Sequence, residues 1–349
     1  LYRRLDEGLN PDVEITRFLT ERAGFPSVPP FAGAIAYEMD ASAPRMICMM
    51  QSMVQNQGDA WALTLNVVGQ YFERVLTEKL TLPKIKANGE LPVDFIHALG
   101  TAYPERVKQL GQRTAEMHLA LASERVDPAF RPEPFSALYQ RSVYQSMRNG
   151  LRRTFQLLAK QSRKLEGETL TDAQAMLGRE KEILDRMARV MGRKIAAEKI
   201  RIHGEYHLGQ VLDTGRDFVI IDFEGEPARP ISERRLKRSA LRDVAGMLRS
   251  FHYAAFTALV QQTSVRDVDI PTAAPWADLW YEAINRIFLQ SYLDSAGNAA
   301  FLPKDPAEFE LLLDAYLLDK AVYEVGYELN NRPDWLRVPL RGIRQILES

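Results

Sequence analysis

The sequence predicts an α+β protein with a small β-rich lobe at its N-terminus and a large, mainly helical lobe after it. Residues 32–38 and 45–51 are runs typical of strands. From residue 57 onward, apolar residues recur three or four positions apart over long stretches, which predicts helices. One apolar and partly β-branched run, residues 218–221, interrupts this helical pattern and predicts a buried strand.

Local patterns place the other elements. A helix is predicted over residues 11–23, because Asn10-Pro11-Asp12 is typical of a helix start and Gly24 ends it. A second helix over residues 60–80 follows Gly58-Asp59, which can cap it. The remaining predicted elements are a polar turn at 39–44, a loop at 83–94 and helices at 103–123, 135–161, 172–199, 239–262, 276–295 and 306–330.

Composition narrows the class of protein. The chain has 349 residues, of which 46% are hydrophobic, so it can form a large core. Its net charge of −1 gives no sign of a nucleic-acid partner, which would need a basic excess or patch. The single cysteine, Cys48, cannot form an internal disulfide and is predicted to be a small core residue. No stretch approaches the ~18 apolar residues of a membrane span and no signal-peptide pattern is present, so a cytoplasmic location without a membrane partner is expected.

Residues 201–226 are the most informative stretch of the chain. Gly215 favours a hairpin turn within residues 213–217, and the predicted strand at 218–221 follows it. Two strands joined by this turn would place Glu205, Gln210 and Asp222 near one end of the hairpin. The polar side chains concentrated in this stretch are His203, Glu205, His207, Gln210, Asp222, Glu224 and Glu226.

These residue types suit phosphoryl transfer. One carboxylate can orient the attacking hydroxyl, while an amide oxygen and a second carboxylate hold Mg²⁺ against nucleotide phosphates. Asp222 ends an apolar strand, where a carboxylate is costly to bury unless it binds a cation or hydrogen-bond donors. Zinc is not expected at His203 and His207, because they lie on a strand and a loop rather than on one helix face.

Three sequence blocks resemble the maltokinase family, a small-molecule branch of the protein-kinase-like superfamily that also contains the aminoglycoside phosphotransferases. The blocks are residues 203–210, 222–228 and 241–251, and the resemblance extends over residues 10–21, 56–61 and 318–335. It implies ATP and Mg²⁺ as cofactors and phosphorylation of maltose to maltose 1-phosphate, within trehalose, maltose and α-glucan metabolism. It also implies a trehalose synthase partner, fused or associated.

The resemblance further implies a two-lobe protein-kinase-like fold. Residues 1–54 would be a partial, nucleotide-binding small lobe. Residues 55–349 would be the helical lobe, with the catalytic hairpin at 200–226 and the sugar-binding helices. In the family, the segment matching Leu1 follows the strand that carries a phosphate-binding Lys, so the small lobe is expected to be truncated.

Roles for individual residues follow from the same resemblance. Glu205 would be the catalytic carboxylate, although the family has Asp there, and a misplacement of about 1 Å can cost ~10²-fold in rate. Metal ligands would be Gln210, Asp222 and Glu224. Nucleotide-binding residues would be Glu14, Gln51 and Met53. Substrate-binding residues would be His207, Lys320, Tyr323, Glu324 and Tyr327, the last four sharing one helix face. Structural residues would be His203, Arg242 and Asp243.

Two other functions stay open. The first is a non-catalytic kinase-like module that braces or regulates a fused trehalose synthase, suggested by Glu205 and the missing small-lobe start. The second is a kinase for another small molecule, such as an aminoglycoside or choline, which ranks lower because those families lack the 224–228 and 246–250 blocks. Trehalose isomerisation itself is not expected, because the chain lacks the alternating strand and helix pattern of a glycosidase-like barrel.

Overall fold

The small lobe begins with a capped helix, much as the sequence predicts. The computed structural model of the chain describes residues 1–2, 4–38, 43–83, 92–261 and 265–348. Helix α1 (Pro11–Arg17) continues as one π-helical turn (Phe18–Arg22). Asn10 caps α1 by accepting a hydrogen bond from the N–H of Asp12 at 2.9 Å. The helix predicted over residues 11–23 is therefore confirmed.

A two-stranded antiparallel sheet completes the described part of the small lobe. Strands β1 (Phe31–Tyr37) and β2 (Arg45–Gln51) place Ile35 opposite Cys48. Both strands match their predicted positions within one residue. Cys48 is half-buried, contrary to the prediction of a core residue, because so small a sheet leaves much of its surface uncovered, including an Ile35 that is 59% exposed. The turn predicted at residues 39–44 lies mostly outside the described residues.

Three helices open the helical lobe: α2 (Ala60–Thr77), α3 (Val93–Leu99) and α4 (Ala102–Leu121). Asp59 caps α2, as predicted, by accepting a hydrogen bond from the N–H of Ala62 at 2.8 Å. Helix α3 was not predicted, because the Pro, Gly and Asn residues of 83–94 favour a loop. Pro92 instead precedes the first turn of α3, a place that proline tolerates. Most of the predicted loop lies outside the described residues.

The single helix predicted over residues 172–199 is wrong. The elements present here are β3 (Glu133–Pro134), α5 (Ala137–Gln161), α6 (Gly167–Leu177), α7 (Glu180–Ala188) and β4 (Glu198–Lys199). Helix α6 ends at Gly178, since glycine is a weak helix former, and α7 starts two residues later. After α7 a 3₁₀ turn reaches Gly192, and the chain then extends into β4, which pairs with β3.

The last part of the chain holds a short hairpin and the longest helices. These elements are β5 (Val211–Asp213), β6 (Phe218–Ile220), α8 (Ile231–Arg234), α9 (Leu241–Gln261), α10 (Ile270–Ala296), α11 (Pro306–Asn331) and α12 (Arg337–Glu348). Helix α12 was not predicted, although its buried residues Leu340, Ile343 and Leu347 follow a helical spacing.

Helix α9 lies at the centre of the helical lobe and packs against α2, α10, α11 and α12. The largest buried side chains around it come from α10, where Trp276 and Trp280 are 2% and 0% exposed. The ring of Trp280 stacks on Tyr103 of α4 with a centroid separation of 6.0 Å. Within the described residues, every helix is too short or too polar to cross a membrane.

Trp280→Ala should lower the free energy of unfolding by about 3–5 kcal/mol, because it leaves a large cavity in the core. Urea unfolding followed by circular dichroism measures this loss. Trp280→Phe should cost less, since the phenyl ring fills most of the space and removes an indole N–H without a hydrogen-bond partner among the described residues. A loss of less than ~1 kcal/mol for the alanine variant would contradict the role of this ring in the core.

Candidate active site

The β5–β6 hairpin brings two polar side chains together at its open end. Gly215 in the turn has a φ of +80°, which glycine adopts at little cost. Pairing continues beyond β6, where the N–H of Ile221 donates to the carbonyl of Gln210 at 3.0 Å. The side-chain amide of Gln210 donates to the Asp222 carboxylate at 2.8 Å. The predicted proximity of Gln210 and Asp222 is confirmed, while their role as metal ligands stays a prediction.

Asp222 has a left-handed backbone and an exposed carboxylate. Its φ is +66°, a conformation that costs a non-glycine residue energy and needs support from its surroundings. The next residue supplies that support, because Phe223 is buried and its N–H donates to Oδ1 of Asp12 at 2.9 Å. A helix of the small lobe therefore holds the backbone that presents Asp222.

The carboxylate of Asp243 holds the 203–210 loop in place. It accepts hydrogen bonds from the N–H groups of His203 at 2.8 Å and Gly204 at 2.9 Å, and from Nε2 of His118 at 3.1 Å. Burial alone would raise the pKa of Asp243, but the bond from His118 and the other donors outweigh it and lower that pKa. Asp243 thus has the structural position predicted for it.

The imidazole of His203 connects the 203–210 loop to the hairpin. Its Nε2 donates to the carbonyl of Ile221 at 2.9 Å, while Nδ1 accepts the N–H of Glu205 at 3.4 Å. These two bonds agree with one neutral tautomer, and burial lowers the pKa of this imidazole. His203 has the bracing position that was predicted for it.

Helix α9 approaches the loop backbone very closely at Gly246. A Cβ at this position would lie 2.5 Å from the carbonyl oxygen of Tyr206, so a larger residue would push the loop away. Tyr206 is itself buried, and its hydroxyl shares a hydrogen bond of 2.9 Å with Thr114 of α4. The loop is therefore fixed from two helices, independently of Asp243.

Glu205 presents a half-buried carboxylate without a hydrogen-bond partner among the described residues. Burial is the main cause that raises its pKa to about 7. The positive charge of Lys320 opposes this rise in the pKa of Glu205, whereas the negative charges of Glu226 and Asp222 add to it. A free carboxylate whose pKa lies near neutrality can accept a proton from a substrate.

Two cavities meet at Glu205. One has a volume of about 400 Å³ and contains three arginines, and we call it the arginine compartment; the other, of about 380 Å³, is the aromatic compartment. Both are lined by Glu205, Gly246, Lys320, Tyr323 and Tyr327. Only the arginine compartment is lined by Arg153, Glu226, Arg229, Arg242 and Asp319. Only the aromatic compartment is lined by Trp61, His207, Tyr253, Glu324, Glu328, Arg332 and Trp335.

The structure brings the predicted substrate residues to these compartments. Lys320, Tyr323 and Tyr327 of α11 face Glu205 across both of them, and Glu324 lines the aromatic compartment. His207 also lines the aromatic compartment. Burial, assisted by Lys320, lowers the pKa of His207 to about 3, so its imidazole is neutral there. Binding of a substrate by these residues stays a prediction.

Arg242 makes no hydrogen bond to the 203–210 loop among the described residues. It was expected to brace the 203–210 loop, but its Nη2 lies 3.2 Å from Oε2 of Glu226 in the wall of the arginine compartment. Its neighbour Asp243, also in the first turn of α9, makes the hydrogen bonds to the loop instead. Glu226 also accepts Nε of Arg229 at 2.5 Å. No role was predicted for Glu226, although two carboxylates within residues 224–226 are a sequence signal for a charged site.

Glu14 is not the acidic residue of α1 that faces the hairpin. Its carboxylate pairs with Nη1 of Arg201 at 2.8 Å and Nη2 of Arg235 at 2.7 Å, where it had been expected to face a phosphate-binding lysine. Asp12, one half-turn earlier, contacts the 222–224 segment instead. Burial and the nearby carboxylates raise the pKa of Asp12 to about 6. The apolar spacing of α1 in the sequence could not show which of these two carboxylates contacts the hairpin.

The other predicted metal and nucleotide residues lie around this centre. Glu224 is half-buried, its Oε2 lies 3.8 Å from Nη1 of Arg234, and burial followed by the Asp222 charge raises its pKa. Two neighbouring carboxylates of this kind favour a bound cation. No group of three or more His, Cys, Asp or Glu with metal-binding geometry occurs in the described part of the chain. Gln51 and Met53 are exposed where the chain leaves β2.

Two curated relatives of this chain are glucosamine kinases. Glucosamine kinase of Streptacidiphilus jiangxiensis is 28% identical over 148 residues, which cover 42% of this chain and 32% of that protein. Glucosamine kinase of Mycolicibacterium smegmatis is 26% identical over 151 residues, covering 42% and 34%. The matched region thus spans about a third of the length of these curated relatives. No family model matches the chain.

Solved structures establish the fold. A glucosamine kinase in complex with glucosamine, ADP and inorganic phosphate superposes with a TM-score of 0.72, covering 98% of this chain and 70% of that one at 22% identity. A structure of glucosamine kinase in crystal form B superposes on this chain with a TM-score of 0.71. The predicted α+β, kinase-like two-lobe fold is confirmed.

Asp243→Asn should lower the free energy of unfolding by about 3 kcal/mol or more, because a neutral amide cannot satisfy three buried donors at once. Urea unfolding at neutral pH measures the loss. Asp185→Asn is the control, since Asp185 is an exposed partner of Lys181 and its change should leave stability nearly unaltered. Equal stability of the Asp243 variant and the unaltered protein would contradict the bracing role.

Proposed function

We propose that this protein is an ATP-dependent sugar kinase, in which Glu205 orients the sugar hydroxyl that attacks the γ-phosphorus of ATP. The observation that carries this proposal is the place of Glu205. Its carboxylate has no hydrogen-bond partner among the described residues and borders two cavities, and burial, with a smaller contribution from the charge of Asp222, raises its pKa. The names of the glucosamine kinase relatives support the same class of reaction.

Different residues of the chain have different roles in the proposed reaction. The sugar hydroxyl forms a bond to the γ-phosphorus, the bond from phosphorus to the β-phosphate oxygen breaks, and the hydroxyl proton passes to Glu205. Gln210 and Asp222 offer adjacent amide and carboxylate oxygens, which suit Mg²⁺, and Glu224 adds charge nearby. The ion would supply neutralisation of the phosphate charge.

The nucleotide would lie against the small lobe, residues 1–54. In this proposal Gln51 and Met53 border the adenine through backbone groups, and Asp12 rather than Glu14 is the acidic residue of α1 on the phosphate side. Asp12 is favoured because it bonds to the residue after Asp222, whereas both oxygens of Glu14 are engaged by arginines. The helical lobe, residues 55–349, would supply the acceptor site.

Maltose is the acceptor that we propose, with maltose 1-phosphate as product. Two adjoining compartments that share Glu205 offer room for two linked sugar rings, with the anomeric hydroxyl of the reducing-end ring beside Glu205. Aromatic side chains such as Trp61 and Trp335 provide apolar faces on which sugar rings stack. A trehalose synthase, fused or associated, would be the partner implied by the resemblance to maltokinase.

Glucosamine is the second candidate acceptor. It is the substrate named for the relatives, and the arginine compartment also contains the carboxylates Glu226 and Asp319. Glu226 is paired with arginines, whereas no hydrogen bond to the Asp319 carboxylate occurs among the described residues. A protonated amine beside Asp319 would gain a charge-assisted hydrogen bond that maltose cannot make.

Formation of ADP from ATP with Mg²⁺ should depend on the added sugar, and Asp222→Asn should abolish it because the amide lacks the charge that a metal ligand needs here. Maltose, glucosamine, trehalose and an aminoglycoside serve as parallel acceptors in a coupled ADP assay. Asp294→Asn, a change at an exposed carboxylate of α10, is the control and should retain activity.

Two results would contradict these assignments. Undiminished turnover by the Asp222→Asn variant would remove the metal assignment. No ADP formation with any acceptor, from a folded protein that binds ATP, would favour a non-catalytic kinase-like module over an enzyme.

The rate should depend on pH through Glu205. Its pKa of about 7 means that the carboxyl is protonated below this pH and cannot accept the hydroxyl proton. We expect kcat/KM to rise through about pH 7 and then to level off. Glu205→Gln should lose ~10²–10⁴-fold in rate together with the pH step, while Glu282→Gln, at an exposed carboxylate, should keep both. A flat profile for the unaltered protein from about pH 5.5 to about pH 8.5 would contradict this role.

A further inference from the structure

Arg249 is a buried cation that the proposed chemistry does not use. It lies on α9, it is 1% exposed, and its Nε and Nη2 donate to Oε2 of Glu324 at 3.0 and 2.7 Å. A buried guanidinium is costly without a partner, so each of these side chains needs the other. Because Glu324 belongs to α11, the pair joins the central helix to the helix that lines both compartments.

Glu324 keeps one oxygen free. Both bonds from Arg249 go to Oε2, and among the described residues Oε1 accepts no hydrogen bond. Since Glu324 lines the aromatic compartment, Oε1 is available to a sugar hydroxyl. The two guanidinium nitrogens therefore set the direction in which the free oxygen faces.

A second contact joins α9 to α11 one helical turn further along both helices. The hydroxyl of Tyr253 donates to Oε1 of Glu328 at 3.1 Å, four residues after the first contact on both helices. Glu328 also pairs with Arg332 at 2.7 Å, and the guanidinium of Arg332 lies 4.5 Å from the ring centroid of Trp335. The part of α11 that lines the aromatic compartment is thus joined to α9 at two successive turns.

Helix α12 holds the far side of Arg249. A Cβ at Gly342 would lie 2.1 Å from Nη1 of Arg249 and 2.7 Å from its Cζ, so only glycine leaves room for the guanidinium. Nη1 has no hydrogen-bond partner in the described part of the chain, so packing against α12 is what holds this end of the group. The guanidinium is therefore held between α11 and α12.

We propose that Arg249 is a positioning residue for the sugar acceptor, held between Glu324 and Gly342. The inference rests on the proposed function. By fixing Glu324, Arg249 sets the rotation of α11 about its axis, and so the direction in which Lys320 and Tyr323 face Glu205. A residue needed only for stability would instead affect the fold without a selective effect on the acceptor.

Calorimetric binding and steady-state kinetics of the full chain test this proposal, with maltose and glucosamine as probes. Arg249→Met removes the charge, and Gly342→Ala displaces the guanidinium while leaving Arg249 in place. Both should raise the dissociation constant and KM of the sugar at least about tenfold, with KM for ATP unchanged. Arg249→Lys should recover only part of the loss, because it lacks the planar fork.

Arg186→Met is the matched control. Arg186 makes a two-bond ion pair with Asp314 of α11, at 2.8 and 3.0 Å, outside both compartments. Its loss should leave the dissociation constant and KM of the sugar unchanged. An equal rise of both in this variant would show that any weakening of α11 has the same effect and would overturn the proposal.

The outcomes separate this proposal from the proposed function. Sugar binding that is unchanged in folded Arg249→Met and Gly342→Ala variants would overturn the positioning role alone. If Arg249→Met does not fold, Gly342→Ala and Glu324→Gln decide, and normal sugar affinity in both would overturn it. No sugar binding by the unaltered protein would overturn the proposed function and this inference together.

Discussion

The buried carboxylate of Asp243 is the interaction on which the site depends. It collects two backbone N–H groups of the 203–210 loop and the imidazole of His118, all inside the core. Its position in the first turn of α9 is favourable by itself, since a helix N-terminus stabilises negative charge. Asp243 therefore connects the central helix to the loop, and the imidazole of His203 continues the connection to the hairpin. Glu205 owes its position to this connection, because it lies two residues after His203.

The acceptor side of the site is organised by a different set of buried charges. Arg249 and Glu324 join α9 to α11, and Tyr253 and Glu328 repeat the join one turn along. Buried ion pairs contribute little net stability compared with apolar packing of the same volume, but they restrict the arrangements that two helices can adopt. In this protein the restriction falls on the helix that lines both compartments.

The sequence was informative where local chemistry decides the structure. The caps at Asn10 and Asp59 and the turn at Gly215 act over a few residues, so their elements were predicted almost to the residue. Helix 172–199 failed because apolar spacing persists across Gly178 and Gly192, where the chain changes direction to meet β3. Periodicity does not report on such distant pairing.

The side-chain partners could not be predicted in the same way. Asp12 and Glu14 lie on nearly the same stretch of α1, and only the packing of the helix decides which of them contacts Phe223 and which pairs with Arg201. Arg242 and Asp243 are neighbours in sequence that face different surroundings. The resemblance to a known family located the residue blocks, whereas the directions of the side chains depend on contacts far apart in the chain.

The left-handed backbone of Asp222 gives the hairpin end a dependence on a distant helix. Such a conformation costs about 1–3 kcal/mol, so without the bond from Phe223 to Asp12 the backbone would relax in a large share of molecules. Thermodynamic linkage makes this dependence mutual. A cation that selects the strained conformer of Asp222 must also strengthen the attachment of α1 to the helical lobe, by the same free energy. Cation binding at the hairpin end and the contact of α1 with Phe223 are thus thermodynamically coupled.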